Sequence, residues 1–345
     1  MTTLLVVFDG LLIAAREAQR WHVEEALSGE PLKCAAADPH RPGRIYCGTE
    51  EGLWRSDDQG RSWRPIGQGL PVRHTTAVAV DPLDTRGGAA AVYLGTEPSH
   101  LFRSTDGGET WDELTALTAL PSSDEWSFPP RPHTHHVRWI EIDPVVPERV
   151  FVAIEAGALV RTLDAGATWE DRVPDGPFDT HTMATHADGP DRLYSAAGDG
   201  YFESSDAGAT WRRDVRGLNH RYLVGVTVDP GNPSTVLVSA SSGPWHAYSP
   251  KTAESFVYRK IAGAAWKVVR DGLPAPDGTT ATHFAATREP GVIYAANNRG
   301  VFRTDDAGLR WASLDLPWEP RYESQGVLAV LALEEGRGSR SRPSL

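Results

Sequence analysis

The pattern of apolar and polar positions reads as many short strands. Runs such as TTAVAVDP (75–82) and AAVYLGTE (90–97) are β-branched and apolar, and Asp-Pro or Gly bounds them. A third short run follows each pair, of the type GLWR, HLFR, ALVR, GYFE or GVFR, and then a polar turn and a tryptophan. No apolar stretch approaches the length needed to cross a bilayer.

The polar turns are copies of one another. SDDQGRSW (56–63), STDGGETW (104–111), TLDAGATW (162–169), SSDAGATW (204–211) and TDDAGLRW (304–311) share the pattern [ST]-x-D-x-G-x-x-W. Two worn copies complete the series. FVYRKIAGAAW (256–266) keeps Gly263 and Trp266 with Ile261 in place of Asp, and DGLLIAAREAQRW (9–21) keeps Trp21. The tryptophans fall at 21, 63, 111, 169, 211, 266 and 311, at intervals of 42 to 58 residues. Seven copies at this period predict an all-β fold, a seven-bladed propeller of four-stranded blades. With strands lettered A to D from the axis outward, the first copy begins at strand B, TLLVVF. GVLAVLALEE (326–335) supplies its strand A, so one strand from each terminus closes the ring and removes an open edge. The expected domain covers 1–335, followed by a disordered tail at 336–345.

Within each box, the Asp carboxylate is expected to accept from unpaired N–H groups of the C–D turn, the Gly to supply positive φ, and the Trp to pack between blades. Asp58, Asp106, Asp164, Asp206 and Asp306 are therefore structural in this reading.

The repeat resembles the Asp-box, or BNR-repeat, propellers. That group includes sialidases, sortilin-type receptors, xyloglucan-type glycosidases, a photosystem assembly factor and glycosyl-hydrolase-like proteins. The resemblance implies the fold over nearly the whole chain and leaves hydrolase, receptor and scaffold open.

Charge narrows the partners. The chain of 345 residues has a formal net charge of -12 and no long basic run, which disfavours nucleic acid and anionic membranes. Cys34 and Cys47 give no disulfide framework, and a reduced pair is expected. The apolar N-terminus lacks a basic region and Asp9 interrupts it, which points to a cytoplasmic protein. No nucleotide cofactor is expected, and the oligomeric state is left open.

Candidate chemistry gathers on one face. The D–A and B–C connections share the top of the ring, and the two largest insertions, 112–136 and 241–256, belong there. Aligning strands A on their terminal Asp-Pro places His74, His136 and His181 at equivalent positions, Tyr222 and Thr282 beside them, and His283 one later. His74, His136, His181 and His283 are candidate ligands for one divalent transition metal (zinc, iron, copper or manganese), serving a small polar or anionic substrate. Metal-dependent hydrolysis, elimination or oxygenation all remain open. Glu155, Asp199 and Tyr222 are the catalytic candidates, and Glu97 is a further top-face carboxylate. Arg138, Arg221, His220, Asn298, Trp126 and Trp245 are the candidate substrate contacts.

Two other readings compete. A sialidase-like or other glycosidase would use top-face Arg73, Arg138, Arg221 and Arg321, with Tyr322 and Glu323, or two facing carboxylates. No Phe-Arg-Ile-Pro motif is present. A non-catalytic scaffold would instead expose Trp126, Phe128, Trp245 and Trp318 to a protein partner.

Overall fold

The structure is a computed structural model and describes residues 2–17 and 20–334. The tail expected at 336–345 lies outside them. Seven antiparallel sheets form a seven-bladed propeller. Blade 1 joins Ala329–Glu334 to Thr2–Phe8, with Thr2 opposite Glu334 and Val7 opposite Ala329, so the two ends of the chain close the ring. Blades 2 to 7 follow in order, with inner strands Leu32–Ala37, Thr75–Val80, Val137–Ile142, Thr180–Ala184, Tyr222–Asp229 and His283–Ala286. In blade 4 the outer strand shrinks to a single bridge between Arg161 and Glu170.

Burial explains the pattern. Each second strand lies between two neighbouring blades, so Val150–Ile154 and Ile293–Asn297 are buried at every position. Such strands read as unbroken apolar runs rather than alternations. A small residue near the top of these strands lets the next blade approach. A β-carbon on Gly95 would meet Val137 of blade 4 at 2.4 Å.

The box turns carry the expected bonds. Asp58 accepts from the Ser62 N–H at 2.8 Å and the Ser62 hydroxyl at 2.6 Å, and Ser56 Oγ accepts from the Gly60 N–H at 2.8 Å. Gly60 stands at φ +88°. Trp111 packs against Tyr46, Leu53 and Ile66 of the preceding blade. The worn box of blade 6 is held differently. Lys260 lies buried with its Nζ 3.0 Å from Glu203 and 3.4 Å from Asp214, above the rings of Tyr201 and Trp266. Cys34 and Cys47 are free thiols, and burial pushes Cys34 up to about 12.

Candidate functional site

The site is built on a repeated irregularity. In blades 2 to 6 the pairing of strands A and B shifts near the top, between Leu32 and Cys34, Thr75 and Ala77, Val137 and Trp139, Thr180 and Thr182, and Leu223 and Val226. A bulge takes the extra residue out of the ladder and re-aims its side chain. The extra residues are Lys33, Thr76, Arg138, His181 and the pair Val224-Gly225. In blades 4 and 5 this brings Arg138 and His181 to the same carboxylate.

That carboxylate is Glu155, nine-tenths buried at the B–C turn of blade 4. Its Oε2 is 2.7 Å from His136 Nε2 and 3.5 Å from Arg138 Nε, and its Oε1 is 3.7 Å from His181 Nε2. Burial opposes its charge, but Arg138, His136 and His181 outweigh that and hold it down at about 2. His181 is fully buried. Its Nδ1 is 2.5 Å from the Leu223 carbonyl, so this nitrogen carries the proton and Nε2 presents its lone pair. Around Nε2 stand the Tyr222 hydroxyl at 3.3 Å and Asp179 Oδ2 at 3.6 Å. Asp179 is anchored through Oδ1, which accepts from the Ala156 N–H at 3.0 Å.

A two-residue slip explains why Asp179 is missed by sequence alignment. The N–H groups of Glu97, Glu155 and Gly198 donate to the carbonyls of His74, His136 and Asp179 at 2.9, 3.2 and 2.8 Å. These three are therefore the equivalent positions, and His181 is equivalent to Arg138 instead. The terminal acidic residue of strand A misaligns blade 5 by two, because His186 stands where blades 3 and 4 have Asp81 and Asp143, accepting from the Asp188 N–H as those aspartates accept from Leu83 and Val145. Gly198 stands where blades 3 and 4 have Glu97 and Glu155. A β-carbon there would lie 2.0 Å from Asp179 Oδ2.

The four histidines expected to share a metal do not meet. His74 and His136 flank Glu97, at 3.8 and 3.9 Å from its Oε2, and Arg131 binds the same oxygen at 2.7 Å. His283 is buried on the wall of a channel cavity of about 190 Å³ shared with Trp139, Glu141 and Thr185. Burial, with the Arg138 charge nearby, pushes it down to about 3. Among the described residues, the donors that converge are Glu155, Asp179 and His181, with one ligand atom each within 4.8 Å of one another.

The other candidates divide. Tyr222 lies at the centre, and its ring packs 4.9 Å from that of His181. Arg138 makes no hydrogen bond among the described residues, and its Nε is buried without a partner. Asp199 sits at the B–C turn of blade 5, within range of the charges of Asp179 and His181. Although its side chain reaches solvent, desolvation by the surrounding chain raises its carboxyl above the ordinary range. Trp245, 77% exposed, stands on a short helix, Pro244–Tyr248, whose Tyr248 packs against Tyr222. Arg221 is exposed on the same face.

Three expectations are corrected. Trp126 is no substrate contact, because it is buried in the seam of blades 3 and 4 with its N–H on Ser122. Asn298 spends its amide on Thr280, Gly278 and Glu323 and has a structural role. His220 stacks on Phe256 at 4.1 Å and bonds the Tyr258 hydroxyl, away from the centre.

The family model for the BNR/Asp-box repeat matches residues 102–113, which hold the box of blade 3. Four further boxes share its sequence, and the same hydrogen bonds recur in them. The chain is a β-propeller that carries Asp-box repeats. This propeller is similar to the xyloglucanase Xgh74A of Acetivibrio thermocellus, at 26% identity over 68% of this chain and 32% of that protein. The chain thus spans about a third of the length of that relative. Among solved structures, the GH74 xyloglucanase of Xanthomonas campestris matches with a TM-score of 0.66 and 18% identity, over 88% of this chain and 51% of that one. YCF48 bound to D1 peptide matches with a TM-score of 0.60 and 16% identity, over 88% of both chains.

Proposed function

We propose that the mouth between blades 4, 5 and 6 binds a glycan and hydrolyses a glycosidic bond. The observation that carries this reading is a buried, ionised carboxylate opening beside an exposed aromatic rim. Glu155 stays charged through the neutral range, while Asp199 is displaced toward its protonated form. Carboxyls whose environments push them apart divide the roles of base and acid. Glu155 then takes a proton from the attacking water, and Asp199 delivers one to the departing sugar oxygen. Trp245 offers an apolar face to a sugar ring, and Phe178, also exposed, stands on the loop leading to Asp179. Arg138, lacking a hydrogen bond, is suited to a carbonyl or anionic substituent of the substrate. The similarity to xyloglucanases supports a glycan as the substrate class.

The test is binding and reducing-end release on a panel of xyloglucan, β-glucan and uronic-acid-containing oligosaccharides. Retention of at least one glycan, lost in Trp245→Ala, is expected. Absence of binding across the panel overturns the reading.

One observation favours a second reading. The chain and YCF48 match over nearly the whole of each, and that structure holds a peptide. A peptide on the same top face would use Trp245 and Arg138 as anchors, with no turnover.

A further inference from the structure

We infer that Glu155 Oε1, Asp179 Oδ2 and His181 Nε2 form a binding site for one divalent first-row cation, zinc or manganese. Glu155 Oε1 and Asp179 Oδ2 make no hydrogen bond among the described residues, His181 Nε2 meets only the Tyr222 hydroxyl at 3.3 Å, and the sister atom of each is held. Glu155 Oε2 is fixed by His136 Nε2 at 2.7 Å, Asp179 Oδ1 by the Ala156 N–H at 3.0 Å, and His181 Nδ1 by the Leu223 carbonyl at 2.5 Å. Outer partners of this kind are what orient metal ligands, and an Nδ1–H on a backbone carbonyl sets the tautomer in which Nε2 binds.

A second observation points to an occupant. Glu155 is nine-tenths buried, yet its Oε1 makes no hydrogen bond among the described residues and faces the centre. An ionised carboxylate oxygen that no protein donor satisfies and that opens on the centre is a ready ligand for a cation. The distances suit a small cation. His181 Nε2 is 3.6 Å from Asp179 Oδ2 and 3.7 Å from Glu155 Oε1. Ligands about 2.1 Å from a tetrahedral zinc are roughly 3.4 Å apart, so small side-chain rotations close the site. One imidazole and two carboxylates suit zinc or manganese and disfavour Cu(I), which needs sulfur.

Arg138 and His136 stand on the Oε2 side of Glu155, away from the free oxygen, and the Tyr222 hydroxyl is the group a cation would displace or recruit. Gly198 keeps the space open, since any β-carbon there would press on Asp179 Oδ2. Bound here, the cation would lower the pKa of a coordinated water and take over the activation otherwise assigned to Glu155. The cation does not depend on the identity of the substrate.

The experiment uses the full chain purified without a His tag, stripped with chelator and titrated with Zn²⁺ by calorimetry and with Mn²⁺ by electron paramagnetic resonance. One tight site per chain is expected, weakened at least tenfold in Asp179→Asn and in Glu155→Gln and unchanged in His74→Ala. Added Zn²⁺ should raise the melting temperature of the wild type and not of Asp179→Asn, which keeps the shape of the native side chain. No site in the wild type, or equal affinity in folded Asp179→Asn and Glu155→Gln, overturns the inference. Zinc binding without any glycan binding supports this site while removing the glycan reading. Glycan turnover by a protein that binds no zinc or manganese does the reverse.

Discussion

Arg138 and His181 are the same residue of the fold one blade apart, each being the extra residue of the bulge at the top of its inner strand. The two bulges re-aim a guanidinium and an imidazole at opposite oxygens of Glu155. Neither residue alone makes a site. Their shared position turns one turn carboxylate into a charged centre at the mouth of the ring.

Gly198→Ala tests how tightly that centre is packed. The new methyl would lie 2.0 Å from Asp179 Oδ2 and 3.2 Å from the Tyr222 ring, so Asp179 must turn away from His181. Overpacking of this kind costs about 1–3 kcal/mol. A lower melting temperature and a loss of metal and oligosaccharide affinity are expected. Unchanged affinity would show that Asp179 is not part of the centre.

Glu141 sets a pH dependence of stability. Burial raises its carboxyl from 4.5 to about 7, against the bonds from Trp139 and Thr185 that favour the charge. The folded state therefore holds this proton more tightly than the unfolded state. Stability from this group is full below about 4.5 and falls as pH rises toward 7, by on the order of 3 kcal/mol. Chemical denaturation at pH 5 and pH 8 should show the decline in the wild type, and Glu141→Gln should flatten it.

The Asp boxes work in the opposite direction. Asp106 is opposed by partial burial, but the Thr110 side chain and N–H, Ser104 and the Glu109 N–H bring it down to about 2. Its stabilisation is present above about 3.8 and is lost as pH falls through 2. Asp106→Ala should cost about 1–2 kcal/mol in urea denaturation and leave the top-face centre intact. A change in metal or ligand affinity would contradict the structural role.

Lys260 replaces a box in blade 6. Lys260→Met removes a buried cation from Glu203 and Asp214, while Arg216 still pairs with Asp214 at 3.0 Å. A loss of about 3 kcal/mol is expected, because breaking a buried pair strands the remaining charge. A neutral result in equilibrium unfolding would show that Arg212 on Glu203 and Arg216 on Asp214 suffice.

Much of the architecture is legible in the sequence because the Asp box is local. Its Ser or Thr, Asp, Gly and Trp bond within eight residues, so five copies announce five blades, and Trp266 and Trp21 supply two more. The site is legible only in outline. The tops of strands A are read as polar, and Glu155, Tyr222 and Arg138 lie near one another there. In blade 5 His186 replaces the aspartate that marks the end of strand A, so the register slips by two and His181 is read in the place of Asp179. Trp126 looks exposed because its loop is long and polar, yet the loop folds back and buries it. Asn298 stands in the two-residue turn between Asn297 and Gly300, with its amide taken by Thr280, Gly278 and Glu323. Aligning the ends of the second strands, LGTE (94–97), VAIE (152–155) and SAAG (195–198), would have corrected the register, since it places Gly198 with Glu97 and Glu155 and so opposite Asp179.

The most direct test of the central claim is the initial rate of reducing-end release from a bound oligosaccharide of the panel, wild type against Glu155→Gln. The expected result is a fall of at least a hundredfold in kcat for a variant that melts like the wild type and still binds the oligosaccharide. Equal rates in the two proteins, or binding with no turnover in the wild type, would contradict it.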